Sequence, residues 1–376
     1  MFKGGGIPIG RVFGISIRLH YSWFFIFALV TWALAASYFP GAYPNWSVAT
    51  SVIAGTVTSL FFFASVLAHE LMHSIVATRS GIPVQSITLF IFGGVSQITE
   101  EPNKPGLEFK IAIAGPLTSI VLGVIFILLW RFLPSQYESI IAVSFWLGWI
   151  NLTLAVFNLL PGFPLDGGRV LRSILWWRMK DLRRATRWAS NAGRGIGFLF
   201  IFGGIVMIFY APGFLFNGLW LAFIGWFLIS AATGSYQQMM LQQLLQNHTV
   251  NEIMTRDCTR VQPDITINQL VNEHILPSGS HCLVIADGEK IKGMVTLQNI
   301  KGIPRDQWGE KKAGDAMTPL DKMKWAKPGD DLYTVMKKIT DEDVNQLPVV
   351  VDGVVVGMVG RDNLLAFINV RDKLGV

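Results

Sequence analysis

Hydrophobic positions fall in six long blocks over the first 232 residues and in short alternating runs after that. The blocks are 21–39, 48–78, 109–130, 139–160, 195–210 and 214–232. About 20 consecutive apolar residues cross a bilayer as a helix, so each block predicts one transmembrane span. The second block is longer than one straight crossing needs and is expected to leave the bilayer before its end. The fifth is short and Gly-rich. Between the second and third blocks the pattern changes. Residues 87–98 (ITLFIFGGVSQI) are rich in β-branched and aromatic types, too short to span, and bent at Gly93-Gly94. They predict a short membrane-associated β-hairpin.

After Gln237 the polar fraction returns to that of a soluble domain, and the pattern repeats. Ile253-Met254-Thr255 recurs as Ala316-Met317-Thr318, and Gly293-Met294-Val295 as Gly357-Met358-Val359. Each half holds a helical stretch and two strand-like runs, 282–285 with 292–295 and 347–351 with 354–359. Asp287-Gly288 and Asp352-Gly353 supply the hairpin turns. Two such halves can bury a shared face. The predicted fold class is a polytopic α-helical membrane domain over 1–235, a linker over 236–249, and an α/β tail over 250–370. The tail divides at about 250–303 and 313–370.

Composition and charge sharpen this picture. Hydrophobic residues make up 51% of the 376 and charged residues 15%, with 2 Cys. Such a chain is not disordered and is not a disulfide-stapled secreted domain. Residues 1–235 carry 15 Lys/Arg against 7 Asp/Glu, whereas 236–376 carry 16 against 18. The basic character therefore belongs to the apolar part, where it sets membrane orientation, and no nucleic-acid partner is expected. Of those 15 cations, all but Arg131 lie on one side of the predicted spans. This places the N-terminus, the 79–108 and 161–194 loops and the tail in the cytoplasm of a multi-pass cell-membrane protein. Lys3, Arg11 and Arg18 followed by an apolar run also fit a cleavable signal peptide, which would leave the other spans unchanged. Residues 169–190 mix Trp176, Trp177 and Trp188 with Arg172, Arg178, Arg183, Arg184 and Arg187, as expected of a helix lying in the membrane interface.

The chemistry sits in the second block, as His69-Glu70-Leu71-Met72-His73. A spacing of four puts His69 and His73 on one helical face, in reach of a single Zn²⁺. Glu70 lies beside them and can take a proton from water at the metal. An ionisable cluster in hydrocarbon is costly and persists only with partners, and a metal supplies one. A third ligand must come from elsewhere. His20, at the start of the first span, reads as an interfacial residue. Asp166 is better placed, just after the fourth span in the run Asn158…Pro161…Pro164-Leu165-Asp166-Gly167-Gly168. The fourth span runs in the same direction as the second, so Asp166 and the histidines meet at similar depth.

The pairing of these two motifs closely resembles the site-2 protease family of intramembrane zinc metalloproteases, in the subgroup with a C-terminal pair of CBS domains. The resemblance implies His69, His73 and Asp166 as zinc ligands and Glu70 as general base. It further implies Asn158 as a substrate contact and cleavage of transmembrane protein substrates near the cytoplasmic face. Phe92-Gly93-Gly94 and Ala114-Gly115-Pro116 also look like the family, the latter opening the third span. A hairpin bent at Gly93 and Gly94 offers an edge to which an unwound substrate adds as a strand; the alternative is a plain packing element. CBS pairs often bind adenine nucleotides through a Gly-x-x-Thr/Ser-x-x-Asp run. Here Thr296 is in place, but Asn299 and Asn363 stand where Asp is expected and Gly360 replaces the second hydroxyl residue. Arg361 is available for phosphate. The tail is thus read either as a nucleotide sensor or as a dimerisation or docking module. Competing readings of the whole chain are a CBS-regulated transporter, which should show paired broken helices, and a zinc hydrolase that is not a protease.

Overall fold

The computed structural model describes residues 6–91, 93–98, 102–210, 213–256, 259–278, 282–288, 290–319, 322–352 and 354–374. Phe92 and Gly353, each part of an expected turn, lie outside the described residues. The chain forms two compact units, Met1–Gln238 and Met239–Val376.

Among the described residues of the first unit, six helices are long and apolar enough to cross a membrane. They are α1 (Tyr21–Ala42), α2 (Val48–Arg79), α3 (Pro105–Phe132), α4 (Glu138–Asn158), α6 (Leu182–Tyr210) and α7 (Leu215–Leu245), with the shorter α5 (Asp166–Met179) between the fourth and fifth crossings. A π-helical turn, Leu34–Tyr38, interrupts α1. Large apolar side chains such as Phe25, Trp32 and Val156 point outward, while Ser51, Thr58, Ser59, Ser65, Ser119, Ser144 and Asn151 are buried between helices. This is the distribution expected in lipid, where small and weakly polar residues allow close helix approach.

The structure corrects several boundaries. The third span begins at Pro105, so Ala114-Gly115-Pro116 lies inside it rather than at its start. The fifth helix starts at Leu182, thirteen residues ahead of the apolar block, and the last continues to Leu245, into the expected linker. The stretch 169–190 is not one interfacial helix. It is broken after Met179 by Lys180 in the left-handed conformation (φ 57°), and its second part is the polar beginning of α6.

The expected hairpin is also part of something larger. Strands β1 (Gly6–Val12), β2 (Ile15–His20), β3 (Val84–Phe90) and β4 (Gly93–Ile98) form one sheet in that order. β1–β2 and β3–β4 pair antiparallel, and β2–β3 pair parallel. Ile15, Ile17 and Leu19 are buried on one face of β2 by the period-2 rule. β4 is left as an edge, and β4 and α2 are packed against each other.

In the second unit β5 (Arg260–Val261), β6 (Cys282–Asp287), β7 (Lys290–Thr296) and β8 (Thr318–Pro319) form one sheet, and β9 (Gln346–Val351) pairs with β10 (Val354–Gly360). Each half has its own core, around Leu283 and Ile285 in the first and Leu347 and Val349 in the second. A third cluster of Val284, Met294, Val355 and Met358 joins them. The segment leading into each half pairs with the other half, since Thr255 bridges Met358 while β8 pairs with Gly293 and Met294 of β7.

Candidate metal centre

His69 and His73 lie on α2 one turn apart, each 4% exposed. Their neighbours come from α3, where Ile111, Gly115 and Ser119 recur at intervals of four and so share one face. The His73 Nδ1–H donates to the Ile111 carbonyl at 2.6 Å, and His69 Nδ1 is 2.9 Å from the Ser119 hydroxyl. With Nδ1 committed to a carbonyl, a neutral His73 ring presents a bare Nε2 lone pair. Such outer hydrogen bonds fix the tautomer and orientation of a metal-ligating imidazole.

Asp166 enters in the first turn of α5, immediately after the chain turns back at 159–165. Its Oδ2 is 3.1 Å from His69 Nε2 and 3.2 Å from His73 Nε2, and the two Nε2 atoms are 3.2 Å apart. Burial alone would push the Asp166 carboxyl up, but the two imidazoles beside it hold it below the usual carboxylate range. A bound metal would take the place of the ring protons there and leave a bare Nε2 on each ring beside the carboxylate. Three acceptor atoms facing one another repel unless a cation lies among them. Ligands at about 2.0–2.1 Å from a tetrahedral Zn²⁺ would be separated by about 3.3–3.4 Å, close to the triangle found here. The donor set of two imidazoles and one carboxylate, with a fourth direction left open, suits catalytic zinc.

Gly115 leaves clear the space beside the two Nε2 atoms, at about the distance a metal would take. A Cβ there would stand 2.2 Å from His73 Nε2 and 2.6 Å from His69 Nε2. On the other side β4 covers Glu70. Ser96 Oγ donates to Glu70 Oε2 at 3.3 Å and itself accepts from Ser74 at 3.2 Å. A Cβ at Gly94 would be 2.4 Å from Glu70 Cγ. Gly93 holds φ at +128° where β4 begins. Asn158 ends α4, half-buried, and makes no hydrogen bond to the triad among the described residues. His20 is set apart from the metal candidates. It ends β2 and caps α1, its Nδ1 accepting from Ser22 N.

Sequence reasoning named Gly115 only as part of a family-like motif, and it missed Ser119, Ser96 and a buried ion pair. Glu108, in the first turn of α3 and fully buried, accepts from Arg172 Nε of α5 at 2.6 Å, and a second guanidinium nitrogen also contacts it. The guanidinium lies over the Phe163 ring. The pair ties the helix that orients the imidazoles to the helix that carries Asp166. Arg172→Met is expected to cost about 3–5 kcal/mol, because it strands a buried carboxylate, whereas Glu108→Leu with Arg172→Met recovers most of the loss. Thermal unfolding in detergent checks this. A single-variant loss no larger than that of the exposed Arg178→Met would contradict it.

In the second unit Thr296 caps α8 (Leu297–Lys301), and the Asn299 side chain accepts from Thr296 N and Oγ1 and donates to Thr318. Both line a cavity of about 340 Å³ with Lys322, Lys324 and Glu342. Asn363 instead accepts from Gly360 N and donates to Thr255, and Arg361 faces Asp343 at 3.7 Å. Neither is among the residues lining that cavity.

Two family models match the chain: peptidase family M50 over residues 57–137 and 134–204, and the CBS domain over 250–304 and 313–370. A protein of Mycobacterium tuberculosis named zinc metalloprotease Rip3 is 34% identical over 368 residues, covering 97% of this chain and 93% of that one. A protein of Synechocystis named zinc metalloprotease sll0528 is 33% identical over 370 residues, covering 97% and 96%. Among solved structures, a site-2 protease from Methanocaldococcus jannaschii is 30% identical with a TM-score of 0.41, covering 61% of this chain and 94% of that one.

Proposed function

The chain belongs to peptidase family M50, the site-2 protease family of zinc metalloproteases, and carries a C-terminal pair of CBS domains; from this we propose that it cleaves membrane-anchored proteins within their transmembrane segments, at the cytoplasmic end of its own bundle. The observation that carries the reading is the convergence of His69, His73 and Asp166 at 3.1–3.2 Å with Glu70 adjoining.

In this reading His69, His73 and Asp166 hold one zinc ion, which would supply a Lewis acid and make water acidic enough to react near neutral pH. Glu70 takes the proton from that water and delivers it to the leaving amine. Ser96 holds one Glu70 oxygen by its hydroxyl, which fixes the direction in which the carboxylate accepts. Gly115 leaves room for the metal beside the imidazoles. A substrate helix hides its amides in its own i→i−4 bonds and must unwind first. The free edge of β4, opened by Gly93 and Gly94 beside Glu70, offers backbone groups to which the unwound segment adds as a strand. Asn158, at the end of α4, holds the substrate backbone from the other side.

Orientation follows from the side-by-side clustering of Lys and Arg, which sets the N-terminus and the tail in the cytoplasm. The tail then reads as the regulatory part. The cavity at Thr296 and Asn299 is the place for an adenine nucleotide, although a ribose there must compete for an amide already engaged by Thr296 and Thr318.

The test is cleavage of a panel of tagged single-span proteins by the purified chain in detergent. Cleavage within the span, stopped by 1,10-phenanthroline and restored by Zn²⁺, is expected. Intact substrates together with ion flux in proteoliposomes would favour the transporter reading instead.

A further inference from the structure

We propose that the outward face of α6 is a binding surface for the headgroups of anionic phospholipids. Residues three and four apart along α6 make one continuous exposed stripe. Its first part presents Arg184, Arg187, Trp188 and Arg194. From Phe198 onward the same stripe is purely apolar, with Phe198 58%, Phe202 66% and Phe209 77% exposed. One unbroken face thus passes from cationic to lipid-facing between Arg194 and Phe198.

Lengths place the arginines more closely. Residues 195–210 span about 24 Å at 1.5 Å per residue, against a hydrocarbon core of about 30 Å. The apolar part is therefore short by about 6 Å, or about four residues. Arg194 reaches outward along its own stem, and Arg187 and Trp188 come to rest in the headgroup layer. Trp188 is 62% exposed there, the position an indole takes at a membrane interface. Between Arg178 and Arg194 there are six basic residues and one acid, Asp181, which pairs with Arg184 at 3.2 Å. Guanidinium groups suit phosphate oxygens in bidentate geometry. Because the stripe runs without a break into the lipid-facing surface, its occupant is a lipid headgroup rather than a soluble acidic protein.

The opposite face of these same turns carries the loop ahead of Asp166. Ala189, Ser190 and Gly193 are buried, and Phe163 N donates to the Ala189 carbonyl at 3.2 Å. Headgroups gripping the outer face thus set the depth of the wall on which that loop rests.

The experiment places the full chain in nanodiscs of equal phosphatidylcholine and phosphatidylglycerol and reads retained lipid by native mass spectrometry. The wild type is expected to retain phosphatidylglycerol preferentially. Arg184→Gln, Arg187→Gln and Arg194→Gln together are expected to lower that preference about tenfold or more, while the corresponding three Lys variants keep most of it. Zinc content and thermal unfolding report whether the Gln variant is folded, and a misfolded Gln variant leaves the wild-type preference and the Lys variants to decide. No preference in the wild type, or an unchanged preference in a folded Gln variant, overturns the proposal. So does displacement of the lipid by a poly-glutamate peptide at equal charge, which would assign the surface to an acidic protein.

Discussion

Glu70→Gln is expected to lower turnover of a cleavable single-span substrate by about 10³-fold or more while leaving one zinc per chain. General acid–base catalysis contributes about 10²–10⁴-fold, and the proposed base here serves both proton transfers. The substitution keeps the shape that β4 packs against, and the amide oxygen can still accept from Ser96, so neither the sheet nor the triad is disturbed. What is lost is a carboxylate able to take a proton. The loss should fall on kcat, with KM nearly unchanged, because Glu70 acts in the transition state and not in holding the substrate strand. Turnover within about threefold of wild type in a zinc-loaded variant would remove Glu70 from its role.

The second large effect is expected at Gly115→Ala. In an ordinary helix this change is favourable by about 1 kcal/mol, since Ala is the better helix former. In α3 the added methyl would stand 2.2 Å from His73 Nε2, a separation no relaxed Cβ contact tolerates. Both rings must turn away, which breaks the hydrogen bond from His73 to Ile111 and the contact of His69 with Ser119. Zinc affinity is expected to fall about 10–100-fold, and the unfolding temperature to fall as well, because overpacking and two lost buried contacts exceed the helix gain. Chelator competition monitored alongside thermal unfolding separates the two quantities. Unchanged zinc affinity would show that the metal does not occupy the space beside Gly115.

How much of this was legible in the chain follows from what each residue does. The six crossings stand out because hydrocarbon demands about 20 apolar residues in a row, a signal stronger than any in a soluble fold. Their ends do not, because α6 and α7 continue into water on polar residues that bilayer length says nothing about. The alternation of Ile15, Ile17 and Leu19 carried a strand signal, but β2 is completed only by β3, some seventy residues away. His69, His73 and Asp166 announce themselves by residue type and spacing. The resemblance marked Gly115 but not its role, which rests on shape; Ser119 matters through a single hydroxyl, and only its spacing from Ile111 and Gly115 hints at a shared face. Glu108 could be noticed as an acid at the mouth of an apolar block, yet its partner Arg172 lay within a basic run with no mark to distinguish it from the exposed arginines beside it. In the tail, Asn299 looked like a weakened nucleotide ligand. In the structure it completes the reciprocal cap with Thr296 at the start of α8, which is a sufficient structural reason for an amide at that position.

Zinc X-ray absorption on the purified chain, beside Asp166→Ala, bears most directly on the proposed centre. One zinc per wild-type chain is expected, with nitrogen and oxygen neighbours at about 2.0–2.1 Å, including two imidazoles, and with zinc content or coordination changed in the variant. A wild-type chain that binds no zinc, or one whose zinc spectrum is identical after Asp166 is removed, would contradict a metal held by His69, His73 and Asp166.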